Sequence, residues 1–436
     1  MRPTLRTVMV FVAGFPVSLG AVLLSTQLWS IWAAYLGVSV LVFAGDALLA
    51  LPKKRITMEV DAPDTLYVGS EDPLTLRFRA PAVRGSVEVE VLCDVDNRLE
   101  PQPMQTAVLR RDDETHIELV LRPRMRGTAT VKTVWLRWTG PLGLAEKRRV
   151  IELERTIKVV PNIRAVRAAA IKFFSRDAMH GIRVAPQFGG GSEYEALREY
   201  VLGMDHRAID WKHSARHNKL VCKEFRAERN QQIIVAMDTG QLMSEPLDGI
   251  TKLDHAINAG LLLAYISLRV GDRVGLFGFD AKVRGYAHPA GGVQAFGRLQ
   301  QFSADLSYQH EETNFTVALA ELSARLSRRS LVILLTDFVD TITAELMIEN
   351  MSRLARKHLV VFVTLRDPSL AELIHATPNT LADLHRSVVS EEFTREREVV
   401  LERLHRLGVH TIDAVPSQVT TQLINRYLDI KRRELL

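Results

Sequence analysis

Two apolar runs separated by only three residues open the chain, and they constrain it more than any other feature. Residues 8–24 carry no charge, and residues 28–51 carry one acid, Asp46. Each run is close to the roughly 20 residues that cross the hydrocarbon core of a bilayer. Ser25-Thr26-Gln27 between them is too short for anything but a hairpin turn. Trp29, Trp32 and Tyr35 follow that turn, where amphipathic rings settle among headgroups. Arg2 and Arg6 precede the first run, and Lys53, Lys54 and Arg55 follow the second. By the positive-inside rule both ends face the cytoplasm. A cleaved signal peptide is disfavoured because no small-residue cleavage site precedes the second span. Pro16 and Asp46 could mark a helix contact inside the membrane, but Pro16 reads better as a tolerated kink and Asp46 as an acid snorkelling toward the nearby interface.

Beyond residue 55 the hydrophobic period changes to two. Ser86–Val95 places Val87, Val89, Val91, Cys93 and Val95 on one face. Leu74, Leu76, Phe78 and Ala80 alternate in the same way, as do Ile117, Leu119 and Leu121. Residues 130–138 and 156–160 add further strands, with turn signals between them. Half-buried strands at this spacing predict an all-β, immunoglobulin-like sandwich over residues 56–160, serving as a spacer or docking module.

From residue 229 to 436 strand and helix patterns alternate. Residues 233–237, 273–279, 331–335, 359–365 and 410–414 read as strands. Residues 251–269, 314–326, 344–357, 391–407 and 417–431 read as helices. The continuous apolar runs predict strands buried on both faces, hence a mostly parallel α/β sheet of the Rossmann type. Ligands of such sheets sit beyond the strand carboxyl ends, at a switch in strand order. Asp238 follows the first strand, Asp337 follows the most apolar one, and Thr313 stands in the loop before a helix. Three oxygens from three loops could converge on one hard cation such as Mg²⁺ or Mn²⁺.

Asp238, Thr313 (in TNFTVAL, residues 313–319) and Asp337 give this module a resemblance to the von Willebrand factor A-type domain. That resemblance implies a metal-ion-dependent site with these three residues as ligands. The family's D-x-S-x-S motif is degenerate here. The chain reads DTGQL at 238–242, with Gly240 and Leu242 in place of two serines. The alternative role for Asp238 and Asp337 is capping of turns and helices.

The most distinctive stretch, residues 189–228, lies in a connecting segment spanning 161–228. It carries Leu197-Arg198-Glu199-Tyr200, then Asp205, Arg207, Ile209-Asp210-Trp211-Lys212, Ser214-Ala215-Arg216 and Lys223-Glu224-Phe225. With the RMRG and GPLGL runs at 124–127 and 140–144, these motifs strongly resemble the family known as domain of unknown function fifty-eight. The resemblance implies a bacterial inner-membrane protein that works beside an AAA+ ATPase of the MoxR type, with no established enzymatic activity. The interleaved charges suit bidentate guanidinium–carboxylate pairing. Arg198, Glu199, Tyr200, Asp205, Arg207, Asp210, Trp211 and Arg216 are therefore the candidates for a partner-binding lip, or for an internal brace.

Other signals exclude more than they propose. Gly189-Gly190-Gly191 lacks the Lys-Ser/Thr of a P-loop. His213 and His217 lack the Glu of a zinc-protease helix. Cys93 and Cys222 have neither metal nor redox spacing. The net charge of +5 is mild, and acids interrupt the arginines, so nucleic-acid binding is not expected. The resulting expectation is a transmembrane hairpin (residues 1–55) carrying a protein-interaction adaptor. It would face the cytoplasm and act with a MoxR-type ATPase in chaperone-like assembly or maturation of a complex. The alternative is a metal-dependent hydrolase or phosphoryl-transfer enzyme using Asp238 and Asp337.

Overall fold

The computed structural model describes residues 2–24, 29–81, 85–111, 113–179, 188–201, 209–217, 219–226, 231–339, 341–433 and 435. The chain divides into two compact units, Met1–Val160 and Pro161–Leu436.

In the first unit the helices Leu5–Leu24 and Trp29–Leu49 pack against each other. Among the described residues, Trp32–Leu49 is long and apolar enough to cross a membrane, and Leu5–Pro16 is a shorter apolar helical stretch. The remainder of the unit is β-structure in two sheets. One has the order Arg2–Pro3, Ala145–Val160, Gly127–Thr139, Ser86–Val95, Gln105–Arg110, with Thr65–Tyr67 paired to the far end of Ala145–Val160. The other joins Thr57–Asp61, Asp72–Arg79 and Glu114–Leu121. The alternation read from sequence matches burial. Val89, Val91 and Cys93 are interior, as are Leu74, Leu76 and Phe78, and Ile117, Leu119 and Leu121.

Two features of this unit differ from the sequence reading. Ala145–Val160 is one long strand, whose outward-facing charges hid its first half. Asp46 does not reach for water. Its carboxylate is buried and accepts backbone N–H groups from residues 142, 144 and 145. A distant loop, invisible to local patterning, supplies what solvent would otherwise supply.

In the second unit a six-stranded sheet carries the fold. Its order is Val283–Ala290, Arg273–Phe279, Gln232–Asp238, Leu331–Leu335, Leu359–Leu365, His410–Ala414. Numbered along the chain, the order is 3-2-1-4-5-6, and all neighbours are parallel except the antiparallel edge strand Val283–Ala290. That edge strand escaped the sequence reading because Gly285, His288 and Pro289 break its apolar period. The sheet is doubly wound. Ile233, Val235 and Met237 face a core shared with Lys252–Val270, Ala295–Asp305 and Pro416–Arg432. Ile234 and Ala236 face the opposite core, with Phe315–Arg325, Thr341–Ala355 and the end of Leu381–Arg406. Alternate residues of one strand thus enter two apolar layers, which is why these strands read as unbroken apolar runs. The helix Ile163–Met179 also sends Val166 and Ala170 into the first core.

A substitution that empties the central strand should be costly. Ile333→Ala is expected to lose about 2–5 kcal/mol of stability, by lost transfer energy plus a cavity. Val108→Thr, on the exposed face of the first unit, should cost about 0.5 kcal/mol or less. Denaturant titration of the detergent-solubilised chain followed by circular dichroism checks both.

Candidate functional site at the strand carboxyl ends

Strand order reverses at Gln232–Asp238. The chain moves outward on one side to the edge strand, then crosses back to Leu331–Leu335 on the other. The carboxyl ends here form the crevice where doubly wound sheets bind ligands, and four of the five parallel strands deliver an acid at this end. Asp238 ends the first of three neighbouring parallel strands, Asp280 and Asp337 follow the other two, and Asp413 lies within the last strand of the sheet. Asp238, Asp280 and Asp337 are all buried.

Burying carboxylates is costly unless donors surround them, and each is surrounded. Asp238 Oδ1 accepts from the Thr313 hydroxyl at 2.7 Å and from the Gly240 N–H at 2.8 Å. Its Oδ2 accepts from the Thr336 hydroxyl. Asp280 accepts from the Thr239 hydroxyl and from Arg284. Asp337 is the most heavily bound. Lys252 Nζ lies 2.8 Å from Oδ2. Oδ1 accepts from Arg397 Nη1 at 2.9 Å, from the Thr364 hydroxyl at 2.8 Å and from the Phe338 N–H at 3.0 Å. Arg397 continues to Asp413, and its guanidinium lies over the Phe338 ring. Lys252 continues to Glu245.

The two central acids consequently differ. Burial pushes the Asp238 carboxyl up to about 6, against the lowering effect of its hydrogen bonds from Thr336, Gly240 and Thr313, and the charge of Asp280 adds to the rise. Burial acts on Asp337 in the same sense. There the charges of Arg397 and Lys252, with hydrogen bonds from Lys252 and Thr364, outweigh it and hold the carboxyl below its usual value.

Asp238 and Thr313 therefore meet directly, and Asp337 joins them through its neighbour Thr336. Their arrangement does not fit a divalent cation. The oxygens of Asp238 are spent on two hydroxyls and an amide, and Asp337 is already neutralised by an ammonium and a guanidinium. Among the described residues no group of three or more His, Cys, Asp and Glu side chains is placed to hold a metal. The degenerate motif takes part in this closure. A Cβ at Gly240 would stand 2.3 Å from the Thr313 hydroxyl, so a serine there would force apart the Thr313–Asp238 hydrogen bond.

Beside this floor opens a cavity of about 1020 Å³. Phe338 and Val339 form one wall. Leu370 and Ile374 of the helix Pro368–His375 and Phe393 of the helix Leu381–Arg406 form the other. These two helices pack on each other, and the long one leaves the body of the sheet exposed over its first half: before Val400 only Ser390 is buried. Leu381, Leu384 and Val388, at spacings of three and four, make an exposed apolar stripe along it. Sequence reasoning missed Lys252, Arg397, Asp280 and this overhang. Asp280 could have been found, since it directly follows a strand that was read. Arg397 sits on a helix rich in surface charge and Lys252 opens a mostly buried one, and nothing in their local sequence marks either as a partner of Asp337.

The residues of the connecting segment occupy varied settings. Asp210 is buried and caps the short helix Trp211–His217, accepting from the N–H groups of Lys212 and His213, and it contacts the His213 ring. Ser214 ties that helix to Val221, which lies on a strand paired with Phe188–Glu199. Trp211, by contrast, is 69% exposed. Arg216 is exposed, Tyr200 is half-buried, and Glu199 forms an exposed pair with Lys219. Asp205 and Arg207 lie outside the described residues, as does the side chain of Arg198.

Fold and site together define an N-terminal pair of apolar helices, one of them long and apolar enough to cross a membrane, with β-sheets, followed by a doubly wound α/β unit whose strand-end acids are bound from within. Residues 196–407 match the family described as Protein of unknown function DUF58, so the likeness read from the motifs at 197–225 stands. The chain is 31% identical over 113 residues to the uncharacterized protein YeaD of Bacillus subtilis, covering 26% of this chain and 28% of that relative's length. Among solved structures it overlaps the conserved hypothetical protein BatB of Bacteroides thetaiotaomicron at 13% identity and a TM-score of 0.29. That overlap covers 46% of this chain and all of the other. A CARDB domain from Pyrococcus furiosus overlaps 24% of this chain and 87% of its own, at 15% identity and a TM-score of 0.18.

Two outcomes are expected. Arg397→Ala strips one cation from the buried Asp337 and should cost about 3–5 kcal/mol of stability, measured by denaturant unfolding. For Asp238 the sign follows from linkage. Its folded carboxyl titrates near 6, above the unfolded value, so the native state binds the proton more tightly and stability falls as pH rises through that window. Relative to Asp238→Asn, the natural chain should gain about 1 kcal/mol on acidification from pH 7 to pH 5. An unchanged difference would show that Asp238 titrates normally.

Proposed function

We propose that this protein is a membrane-anchored protein-interaction adaptor whose partner docks at the strand carboxyl ends of the second unit. The observation that carries the reading is the combination at that end. A large cleft has a floor of internally neutralised charges, and an overhanging helix pair beside it bears an unpartnered apolar stripe. A floor of fixed ion pairs gives shape and specificity rather than chemistry, and exposed apolar side chains of this kind are what partner surfaces are built from. The unit is read as a von Willebrand factor A-like domain, supported by Asp238, Thr313 and Asp337 at the switch point of the sheet. It works as a metal-free version, with Lys252 and Arg397 supplying the positive charge. Family likeness supplies the partner class, a MoxR-type AAA+ ATPase, and the task, chaperone-like assembly or maturation of a complex at the bacterial inner membrane. The basic residues at both ends of the hairpin favour a cytoplasmic side for the soluble part. Exposed Trp211 and Arg216 are available to a partner, while Asp210 serves as a brace. The metal-dependent hydrolase draws less support, because both of its acids are already occupied.

The test is binding of the purified MoxR-type ATPase to the full chain in lipid nanodiscs, with Leu384→Asp and Val388→Asp combined in a variant. The double variant should melt like the natural chain yet bind about tenfold or more weakly, since each buried interface leucine or valine contributes on the order of 1 kcal/mol. Equal binding would remove the helical overhang from the surface. Absence of binding by the natural chain would remove this ATPase class as partner. A second measurement, Mn²⁺ titration by calorimetry, should give no saturable heat.

A further inference from the structure

The GPLGL run at residues 140–144 is unexplained by anything at the strand-end cleft, and its surroundings in the first unit are unusual. Asp46 lies within the apolar helix Trp29–Leu49 and is only 1% exposed. Its Oδ1 accepts the Leu142 N–H at 2.7 Å, and its Oδ2 accepts those of Leu144 and Ala145 at 2.8 Å each. The motif's glycines serve this contact. A Cβ on Gly140 would stand 2.5 Å from the Asp46 carboxyl group, and Gly143 turns the loop at a φ of +68°. The other helix holds the same loop: the Thr4 hydroxyl donates to the Gly143 carbonyl at 2.7 Å, and the Thr7 hydroxyl donates to that of Leu144. Arg2–Pro3 adds to the sheet opposite Ala145 and Glu146. Lys147 and Trp138 donate to the carbonyls of Ala50 and Leu51, where the second helix ends.

Both roots of the hairpin are thus stitched to one loop, and the loop reaches Asp46, three residues inside the helix end, or about 5 Å at the helical rise. A carboxylate with three N–H partners needs no water and can sit at the edge of hydrocarbon. The loop's tip, Leu142, is nevertheless 57% exposed, at the end of the hairpin where Leu5, Leu48 and Leu49 are also exposed. Exposed Arg2, Arg6 and Lys53 surround this end. An apolar tip continuous with the apolar faces of the helices, ringed by cations, matches the boundary between acyl chains and anionic headgroups.

We propose that the Gly140–Leu144 loop is a membrane-contacting wedge, which inserts Leu142 into the headgroup–acyl boundary of an anionic phospholipid bilayer and so holds the β-sheets of the first unit at a fixed depth and tilt. The proposal rests on the reading of the helices as a membrane anchor. Its test uses the full chain, with Cys93 and Cys222 replaced by Ala, in nanodiscs containing phosphatidylglycerol. Nitroxide labels are placed singly at Leu142→Cys, at Leu41→Cys within the helix, and at Val108→Cys on the exposed sheet face. Each label's accessibility to oxygen is compared with that to a water-soluble nickel chelate. The expected result is a several-fold higher oxygen-to-nickel ratio at positions 41 and 142 than at 108. A lipid-like ratio at 41 with a water-like ratio at 142 would overturn the wedge and leave the anchor standing. Water-like ratios at both 41 and 142 would overturn the anchor and the wedge with it.

Discussion

A carboxylate removed from water has to find its donors inside the protein, and this requirement organises both units. Asp337 is the clearest case. It closes the most apolar strand of the sheet, and a lone charge there would oppose folding. Lys252, at the start of one helix, and Arg397, in the second half of another, converge on it from different stretches of chain. Their convergence binds the helix Leu381–Arg406 to the strand ends, and Arg397 carries the tie on to Asp413 in the last strand. The cleft exists because this helix is pinned at its inner half and free at its outer half.

The same rule, applied with neutral donors, gives a different electrostatic result. Asp238 has hydroxyls and an amide where Asp337 has cations. Its carboxyl is therefore pushed up to about 6, while that of Asp337 is held below its usual value. Two acids beyond adjacent parallel strands thus end in opposite regimes. A site of this kind has its charge balance built in, and Gly240 makes it compact by letting Thr313 reach Asp238 directly. In the first unit Asp46 takes its donors from three backbone amides, and the GPLGL loop acquires its shape from that demand.

On the proposed reading the two units do distinct work. Fixed backbone contacts at the hairpin root suit an element that sets position. The strand-end cleft and its overhang suit an element that meets a partner. In the connecting segment Asp210 and Ser214 hold local structure, whereas Trp211 and Arg216 are exposed.

Local pattern alone determined a good deal. Apolar runs near membrane length, period-two strands such as Ser86–Val95, and double-sided strands such as Leu331–Leu335 follow from short-range hydrophobic order, and so did Asp238 and Asp337 as strand-end acids. Pairing was decided by tertiary structure. No local signal marks Arg397 among the arginines of its helix, or connects Asp46 to amides some hundred residues later, or shows that the first half of Leu381–Arg406 overhangs the sheet. These depend on which side chains the completed fold brings within hydrogen-bonding distance. Sequence periodicity reports which face of an element is apolar, whereas the neutralisation of a buried charge depends on distance in space.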